Sequence, residues 1–348
     1  MYPSNFLGAQ MGTSFAIKHS PHKLWQLYKT NPPVQYRNSV LASHFLHSFN
    51  SIRNYPFVKN IVEFEHILHL TGESRDYKRM VSSADELFKK LSSNKVAALI
   101  SPTEKAISIC SNYFSEFETI KHKFHSVPTA VIPKKLSVRD SGSCLNLLFI
   151  GNKFWGKGGN VAIQVAKTLS DNGVEVKLRM VCNDIPVNYP IPECVDVIRT
   201  AKLSQSDKDE LYGGADIFLF PVLHDSFGVH IECLEYSLPM VTTNIYDKAE
   251  IIEHGISGFL TKPPFELYGP GFATEWPNWN SFCDYIRASD YEGRFLKMID
   301  EMANNISLFY DDNMRLDQFK QTMLKNTMSE FSLDDRNASI RSIYDSVS

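Results

Sequence analysis

The second half of the sequence alternates apolar runs of strand length with amphipathic runs of helix length. Residues 145–151 (LNLLFIG) are almost entirely apolar, and a helix-length run follows until Gly173. VEVKLRMV is the next predicted strand, and ADIFLFP, which ends at Pro221, is a further apolar run of strand length. Buried parallel strands read as continuous apolar runs because helices cover both faces of their sheet. The alternation therefore predicts a doubly wound α/β domain with a parallel sheet.

The remaining elements of this half continue the alternation. A helix is predicted from about Ser206, with Ser204 or Ser206 as its N-terminal cap. From Trp279 to Ser348 the pattern predicts consecutive amphipathic helices. Helix is also predicted at residues 232–237 and 247–255, and strand at residues 239–243 and 257–260.

The first half is less regular. It contains a predicted helix from about Ser83 to Ser92 and two predicted strands, IVEFEH at 61–66 and VAALIS at 96–101. KLSVRDSGSC, at 135–144, has the composition of a linker. A chain of 348 residues is long enough for two domains. We therefore predict an N-terminal domain at 1–140, a C-terminal domain at 141–330 and a closing helix at 331–348.

Composition excludes several classes of protein. A net charge of -3 provides no broad basic field, so we expect no nucleic-acid partner. The six cysteines are scattered without CxxC spacing, which indicates buried thiols in a reducing compartment. No apolar run reaches the length of a membrane span, and the N-terminus lacks the pattern of a secretory signal. These features favour a cytoplasmic protein; a peripheral membrane contact stays open, and the sequence does not specify the oligomeric state.

The first candidate binding segment is FIGNKFWGKGGN, which follows the predicted strand at 145–150. Ligands bind at the carboxyl ends of strands in open α/β sheets. Glycines such as Gly151 allow close approach of backbone N–H groups to an anion, Lys153 and Lys157 add positive charge, and a helix begins just after. The segment predicts a metal-independent phosphate site, although a flexible turn with solvated lysines would have the same composition.

The second candidate segment is FPVLHDSFGVHIECLEYSLPMVTT. A buried strand opens here into a loop with one acid, Asp225, and a Phe-Gly pair, and Glu232 follows at the start of a helix. Carboxylates accept hydrogen bonds from vicinal sugar hydroxyls, and a helix N-terminus suits a diphosphate. Taken singly, Asp225 is equally typical of a turn and Glu232 of a helix start; the two segments together favour a nucleotide-sugar site.

Several motifs in order resemble the retaining glycosyltransferases of family 4, which have the GT-B fold. FIGNKFWGKGGNVAIQVAKTL is similar to the family's strand, Lys-Gly pair and helix, and LYGGADIFLFP to its aliphatic strand ending in Pro. The family has a Glu-x7-Glu motif around Phe-Gly, and this sequence differs from it in two ways. The first acid is Asp225 instead of Glu, and only six residues separate it from Glu232. Pro239 follows Glu232 at the family's distance. AEIIEHGISGFL and FSLDDRNASIRSIYDSV resemble the family's downstream segment and closing helix.

The resemblance implies a GT-B architecture of two Rossmann-like doubly wound domains facing a cleft, with a C-terminal helix crossing back to the first domain. It implies transfer of a sugar, with retention, from a nucleotide diphosphate sugar to a glycan or lipid-linked acceptor. No cofactor is expected, and the co-substrate is a UDP- or GDP-sugar. The implied catalytic residues are His66, Lys157 and Asp225, and the implied donor-binding residues are Gly151, Asn152, Lys153, Lys157, Ser226, Phe227, Gly228 and Glu232.

The first domain carries less of this resemblance. Its start offers only Gly8 and Gly12 and no leading strand, so we expect a short and incomplete domain. His66, at the end of IVEFEH, is similar in place to a family histidine that faces the sugar, but a histidine that starts a helix would look the same. Ser101 ends the other strand and is expected near the cleft.

Two alternatives to the transferase stay open. One is a GT-B epimerase or hydrolase of sugar nucleotides, and the other is a catalytically silent GT-B protein that binds a nucleotide or a partner. A metal site has little support, because the single Asp-x-Asp, Asp207 to Asp209, lies at a predicted helix start and complements its dipole there.

Overall fold

The computed structural model describes residues 45–52, 58–70, 76–134, 144–200, 202–224, 228–267, 272–310 and 312–347. These residues fall into two compact units: the first contains those up to Ala130 and those from Phe331 onward, and the second contains Val131–Glu330. Gly8 and Gly12 and almost the whole predicted linker lie outside the described residues, and so do Asp225, Ser226 and Phe227.

The first unit is built on a parallel sheet with strand order β1-β2-β3-β4. The predicted strands and the helix near Ser83 are present, but β2 ends before His66. β1 and β4 were not predicted, because they are short and less apolar than their neighbours. The elements are β1 (Phe45–Phe49), β2 (Lys59–Glu63), α1 (Ile67–Leu70), α2 (Tyr77–Ser82), α3 (Ala84–Ser92), β3 (Val96–Ser101), α4 (Glu104–Tyr113), α5 (Phe117–Ile120) and β4 (Phe124–Ser126).

The second unit is built on a six-stranded parallel sheet with strand order β10-β9-β8-β5-β6-β7. β6 and β7 follow on one side of β5, and β9 and β10 follow on the other side of β8. The order of the strands therefore reverses between the paired strands β5 and β8, and this is the topological switch point. The elements are β5 (Leu145–Ile150), α6 (Gly159–Asp171), β6 (Val176–Val181), β7 (Val195–Ile198), α7 (Gln205–Gly213), β8 (Ile217–Phe220), α8 (Gly228–Glu235), β9 (Met240–Thr243), β10 (Gly258–Thr261), α9 (Phe272–Glu275), α10 (Trp279–Tyr291), α11 (Leu296–Tyr310) and α12 (Asn313–Glu330).

Local signals explain most of these boundaries. Ser204 caps α7 by accepting a hydrogen bond from the backbone of Asp207, whose side chain accepts in return from the Ser204 N–H. Between the two predicted caps, the structure therefore selects Ser204. Gly173 follows the end of α6 with φ +82°, as expected for a helix stop.

The predicted helix at 247–255 is wrong. Only a short 3₁₀ turn, Lys248–Glu250, forms there. The Ser257 hydroxyl accepts a hydrogen bond from the Glu253 N–H, and Gly255 adopts φ +80°, so the chain turns back toward β10 instead of continuing a helix. Ile251 and Ile252 of this segment are buried in that turn.

The last helix, α13 (Leu333–Val347), belongs to the first unit. It contributes Ile340 and Ile343 to a buried cluster with residues of the sheet, namely Ile61, Ala98, Ile100 and Val127. Arg336 binds Glu63 through an Nη2–Oε1 contact of 2.6 Å and also donates to the carbonyls of Val127 and Pro128. Apolar packing and a charged anchor together attach the chain terminus to the first sheet. Among the described residues, no helix is both long and apolar enough to cross a membrane.

Candidate functional site

The two candidate segments leave adjacent strands at the switch point. β5 leads into residues 151–158, here called the glycine loop, and β8 leads into residues 221–227. The Leu223 N–H donates to the Gly156 carbonyl at 3.2 Å, so a backbone hydrogen bond joins the two loops. Gly158 lies so close to Pro221 that a Cβ on Gly158 would be 1.8 Å from the Pro221 carbonyl oxygen. The described part of the loop after β8 therefore packs directly against the glycine loop.

The glycines of this loop are needed for close packing. A Cβ on Gly156 would lie 2.2 Å from the Trp279 ring, and one on Gly159 would lie 2.5 Å from the Phe154 ring. The N–H groups of Gly158 and Gly159 donate to the carbonyls of Trp155 and Phe154 within the same segment. These two N–H groups are consequently engaged within the segment itself, in contrast to the expectation that the glycine N–H groups here approach an anion.

The lysines of the glycine loop differ in exposure. Gly151 follows β5 and is buried. A Cβ on Gly151 would lie 3.0 Å from the Cβ of Lys157, so the glycine leaves room for the Lys157 side chain. Lys157 is half-buried beside the switch point, whereas Asn152 and Lys153 are exposed. The Lys153 ammonium is 4.0 Å from the Asp184 carboxylate. Lys157 is therefore the lysine that the fold holds against the strand ends.

In the second segment, Gly228 begins α8 and Glu232 lies one turn further along. The side chain of Glu232 is 14% exposed. Its Oε1 accepts from the ammonium of Lys208, and its Oε2 accepts from the Tyr212 hydroxyl at 2.7 Å. Both donors come from α7. The helix predicted at 232–237 thus begins four residues earlier, at Gly228, and the Glu232 carboxylate is held in one orientation in its second turn.

Tyr212 is itself held by its surroundings. Its ring stacks on Tyr236 with a centroid distance of 4.8 Å and an interplanar angle of 10°. The Tyr236 hydroxyl accepts from Lys134 at 2.7 Å and donates to Asp209. The hydrogen bond from Lys134, and then that from Tyr236, lower the pKa of Asp209 to about 2. Burial raises the pKa of Tyr212 well above its ordinary value, so its hydroxyl remains a donor at neutral pH.

Sequence reasoning missed Lys208 and Tyr212. Both lie on α7, four residues apart, and residues at that spacing share one helix face. The spacing was a usable signal, but nothing local in the sequence indicates that this face is turned toward Glu232.

His66 lies in the first unit, just beyond β2, and it is buried. Its Nδ1 accepts a hydrogen bond from the Leu68 N–H at 3.0 Å at the start of α1. This contact corresponds to the helix-starting alternative weighed above. Ser101 ends β3, and its buried hydroxyl accepts from the Thr103 N–H at 3.3 Å. Both residues therefore take part in turns at the carboxyl edge of the first sheet.

The two acids of the Asp-x-Asp segment are engaged within the protein. Asp207 completes the cap of α7, and Asp209 pairs with Lys134. In the part of the chain that the structure describes, no group of three or more His, Cys, Asp or Glu side chains could hold a metal ion.

The family model described as "Glycosyl transferases group 1" matches residues 145–266. This stretch contains all six strands of the second sheet, both candidate loops and Glu232. No curated protein matches the sequence.

Solved structures with the same fold are distant in sequence. A mutant of S. aureus TarM in complex with Fondaparinux, alpha-GlcNAc-glycerol and UDP is 14% identical, with 84% of this chain and 52% of that chain covered and a TM-score of 0.56. The pneumococcal O-GlcNAc transferase GtfA in complex with UDP and GlcNAc is 16% identical, with coverages of 84% and 53% and a TM-score of 0.53. Anabaena HepE in complex with UDP-glucose is 13% identical, with coverages of 83% and 72% and a TM-score of 0.56.

This chain spans about half the length of TarM and GtfA. The α/β class with parallel sheets and the GT-B fold predicted from the sequence are confirmed by these similarities.

Proposed function

We propose that this chain transfers a sugar from a nucleotide diphosphate sugar to an acceptor, with the donor held at the switch point of the second unit. The observation that carries this proposal is the hydrogen-bonded junction of the glycine loop with the loop after β8, which brings a half-buried lysine to the strand ends. The matched stretch of the glycosyltransferase model contains both loops. The solved structures that share the fold include complexes with UDP or UDP-glucose.

The proposed reaction replaces the bond between the anomeric carbon and the diphosphate oxygen with a bond to an acceptor oxygen. Negative charge develops on the departing diphosphate, and the proton of the acceptor hydroxyl passes to that diphosphate as the new bond forms. Positioned cations and N–H dipoles stabilise such charge more in the transition state than in the ground state. Lys157 and Lys153 supply the cations in this proposal, and the N-termini of α6 and α8 point their dipoles toward the same edge of the sheet.

The other predicted residues take roles along the donor. Glu232 accepts from the ribose hydroxyls, and Asp225 binds the transferred sugar. Gly151 and Asn152 border the diphosphate on one side, and the loop residues Ser226, Phe227 and Gly228 border it on the other. We also propose His66 as a catalytic residue, as the resemblance implies.

The finer features of the reaction are also proposals. We propose retention at the anomeric carbon, no requirement for a metal ion, a UDP- or GDP-sugar donor that carries a hexose or a related sugar, and a glycan or lipid-linked acceptor. The proposed compartment is the cytoplasm, with peripheral contact at the inner membrane face for a lipid-linked acceptor.

The test measures turnover of a panel of UDP- and GDP-sugars, with and without acceptor glycans and with and without EDTA. We expect acceptor-dependent release of nucleotide that EDTA does not reduce, and an anomeric configuration in the product, read by NMR, equal to that of the donor. Lys157→Ala should lower turnover about 100- to 1,000-fold, as for other groups that stabilise developing charge. Lys167→Ala, which removes an exposed lysine from α6, is the matched control and should leave turnover unchanged.

Other outcomes decide between the alternatives. Nucleotide release without any acceptor would favour the epimerase or hydrolase. Nucleotide binding without turnover of any donor would favour the silent binding protein. Parental turnover in both Lys157→Ala and Glu232→Ala would show that the assigned site is wrong.

A further inference from the structure

Glu232 receives one hydrogen bond on each carboxylate oxygen, and both donors lie on one face of α7. Lys208 binds Oε1 and Tyr212 binds Oε2. The side chain of Lys208 is 21% exposed and that of Glu232 is 14% exposed, so solvent screens this ion pair less than a surface pair. Two side chains of α7 therefore hold the Glu232 carboxylate in one orientation.

The number of acceptor positions makes this fixation relevant to ligand binding. An ionised carboxylate offers about four lone-pair positions, two on each oxygen. Among the residues that the structure describes, Lys208 and Tyr212 each use one, which leaves one acceptor position on each oxygen. Two acceptor positions on one rigid carboxylate match the two donors of a vicinal diol.

The Tyr212 side of this arrangement is rigid. Tyr212 is 1% exposed, and its ring stacks on Tyr236 and also on Phe218 at a centroid distance of 5.9 Å. Tyr236 is held in turn by Lys134 and Asp209 through its hydroxyl. The Tyr212 hydroxyl is therefore fixed by packing before any ligand arrives, and the carboxylate that it binds loses little further freedom on binding.

We infer that Lys208 and Tyr212 are positioning residues that orient Glu232 for an unsubstituted ribose, and that they make the site select ribonucleoside diphosphate donors over deoxyribonucleoside diphosphate donors. This inference rests on the donor site proposed above. A deoxyribonucleotide leaves one of the two oriented acceptor positions without a donor, and an unpaired buried acceptor lowers affinity. The selectivity for ribose is thus a property of three side chains on α7 and α8.

The experiment measures the Kd of UDP and of 2′,3′-dideoxy-UDP by calorimetry, with GDP and its dideoxy analogue as a second pair of probes. The parent protein should bind the ribonucleotide on the order of 100-fold more tightly than the dideoxy analogue, because two hydrogen bonds to a charged group are lost. Lys208→Met and Tyr212→Phe should each weaken binding of the ribonucleotide about tenfold and leave binding of the dideoxy analogue unchanged.

Two further variants separate positioning from folding. Lys208→Arg keeps a cation within reach of Glu232 and should retain most of the discrimination between the two probes. Lys177→Met removes an exposed lysine near the start of β6 and should behave as the parent protein does. In steady-state assays, Lys208→Met should raise the KM of the donor with little change in kcat, as expected for binding that is uniform in ground and transition states.

The inference is overturned if Lys208→Met and Tyr212→Phe bind both probes as the parent protein does, or if they weaken both probes equally. The first result would mean that these donors do not act on Glu232, and the second would mean that they only support the fold. If the parent protein itself binds none of the four probes, the proposed function fails, a result visible before any variant is made. If the parent binds ribonucleotide and dideoxy analogue equally, the donor site stands and the inference fails.

Discussion

Gly158→Ala tests whether the junction of the two loops is necessary for the proposed site. Gly158 has φ +73°, and a residue other than glycine in this left-handed region costs about 1–2 kcal/mol. The added Cβ would lie 1.8 Å from the Pro221 carbonyl oxygen, whereas real Cβ atoms stay beyond 3.0 Å, so the loops must separate by 3.0 − 1.8 = 1.2 Å. Such overpacking costs about 1–3 kcal/mol more. The expected loss of stability is therefore about 2–5 kcal/mol.

Gly173→Ala is a matched control in the same helix-and-loop segment. Gly173 has φ +82°, but a Cβ there would meet no atom within 4 Å. Its substitution therefore costs the left-handed conformation alone, about 1–2 kcal/mol. The difference between the two variants isolates the cost of forcing the glycine loop away from Pro221.

The assays are urea unfolding, for the free energy of unfolding, and donor turnover. A displacement of about 1 Å between groups that act together lowers turnover about 100-fold, so Gly158→Ala should lose activity to that extent, and Gly173→Ala should keep it. Equal losses of stability in the two variants would refute the reasoning about the Pro221 contact. Parental turnover in a folded Gly158→Ala protein would refute the proposal that the loop junction forms the donor site.

Two further predictions concern other contacts. Burial acts to raise the pKa of Glu63, but the hydrogen bond to His47 and the charge of Arg336 outweigh it, so the pKa lies below the ordinary value of 4.5. The stability that this shift supplies is fully present above pH 4.5 and is lost as the pH falls through the lower pKa of the folded state. The unfolding midpoint of Glu63→Gln should therefore fall less between pH 5 and pH 3 than that of the parent protein. An unchanged pH profile would contradict this assignment. Gly156→Ala and Trp279→Ala should be coupled by about 1 kcal/mol in a double-mutant cycle, because removal of the indole opens the space that the new Cβ needs. If the two changes in the free energy of unfolding are simply additive, the contact is contradicted.

The second unit was largely predictable because its signals are local. Continuous apolar runs identified β5 and β8, and the stop of α6 just before Gly173 followed from chain chemistry that acts within one turn. Strand β7 was not predicted, since Val195–Ile198 is short and alternates apolar with polar residues. The helix predicted at 247–255 had a suitable pattern, but Ile251 and Ile252 are buried by a turn instead.

Part of the candidate site could likewise be predicted from the sequence, and part could not. From the sequence alone, the segments that carry Lys157 and Glu232 were predicted to follow strand ends at one edge of the sheet, because the rule that ligands bind at carboxyl edges needs only the order of the elements. The partners of Glu232 on α7 could not be inferred, since they depend on how two helices face each other across the sheet edge.

The glycines of the glycine loop show most clearly which features are local to the sequence and which depend on the folded structure. Composition indicated that this loop needs residues without side chains, and that requirement is local. Only the folded structure decides what occupies the space, namely the Pro221 carbonyl beside Gly158 and the Trp279 ring beside Gly156. Chain-local forces specify elements and their ends, whereas contacts between residues distant in sequence arise from packing that no short segment encodes.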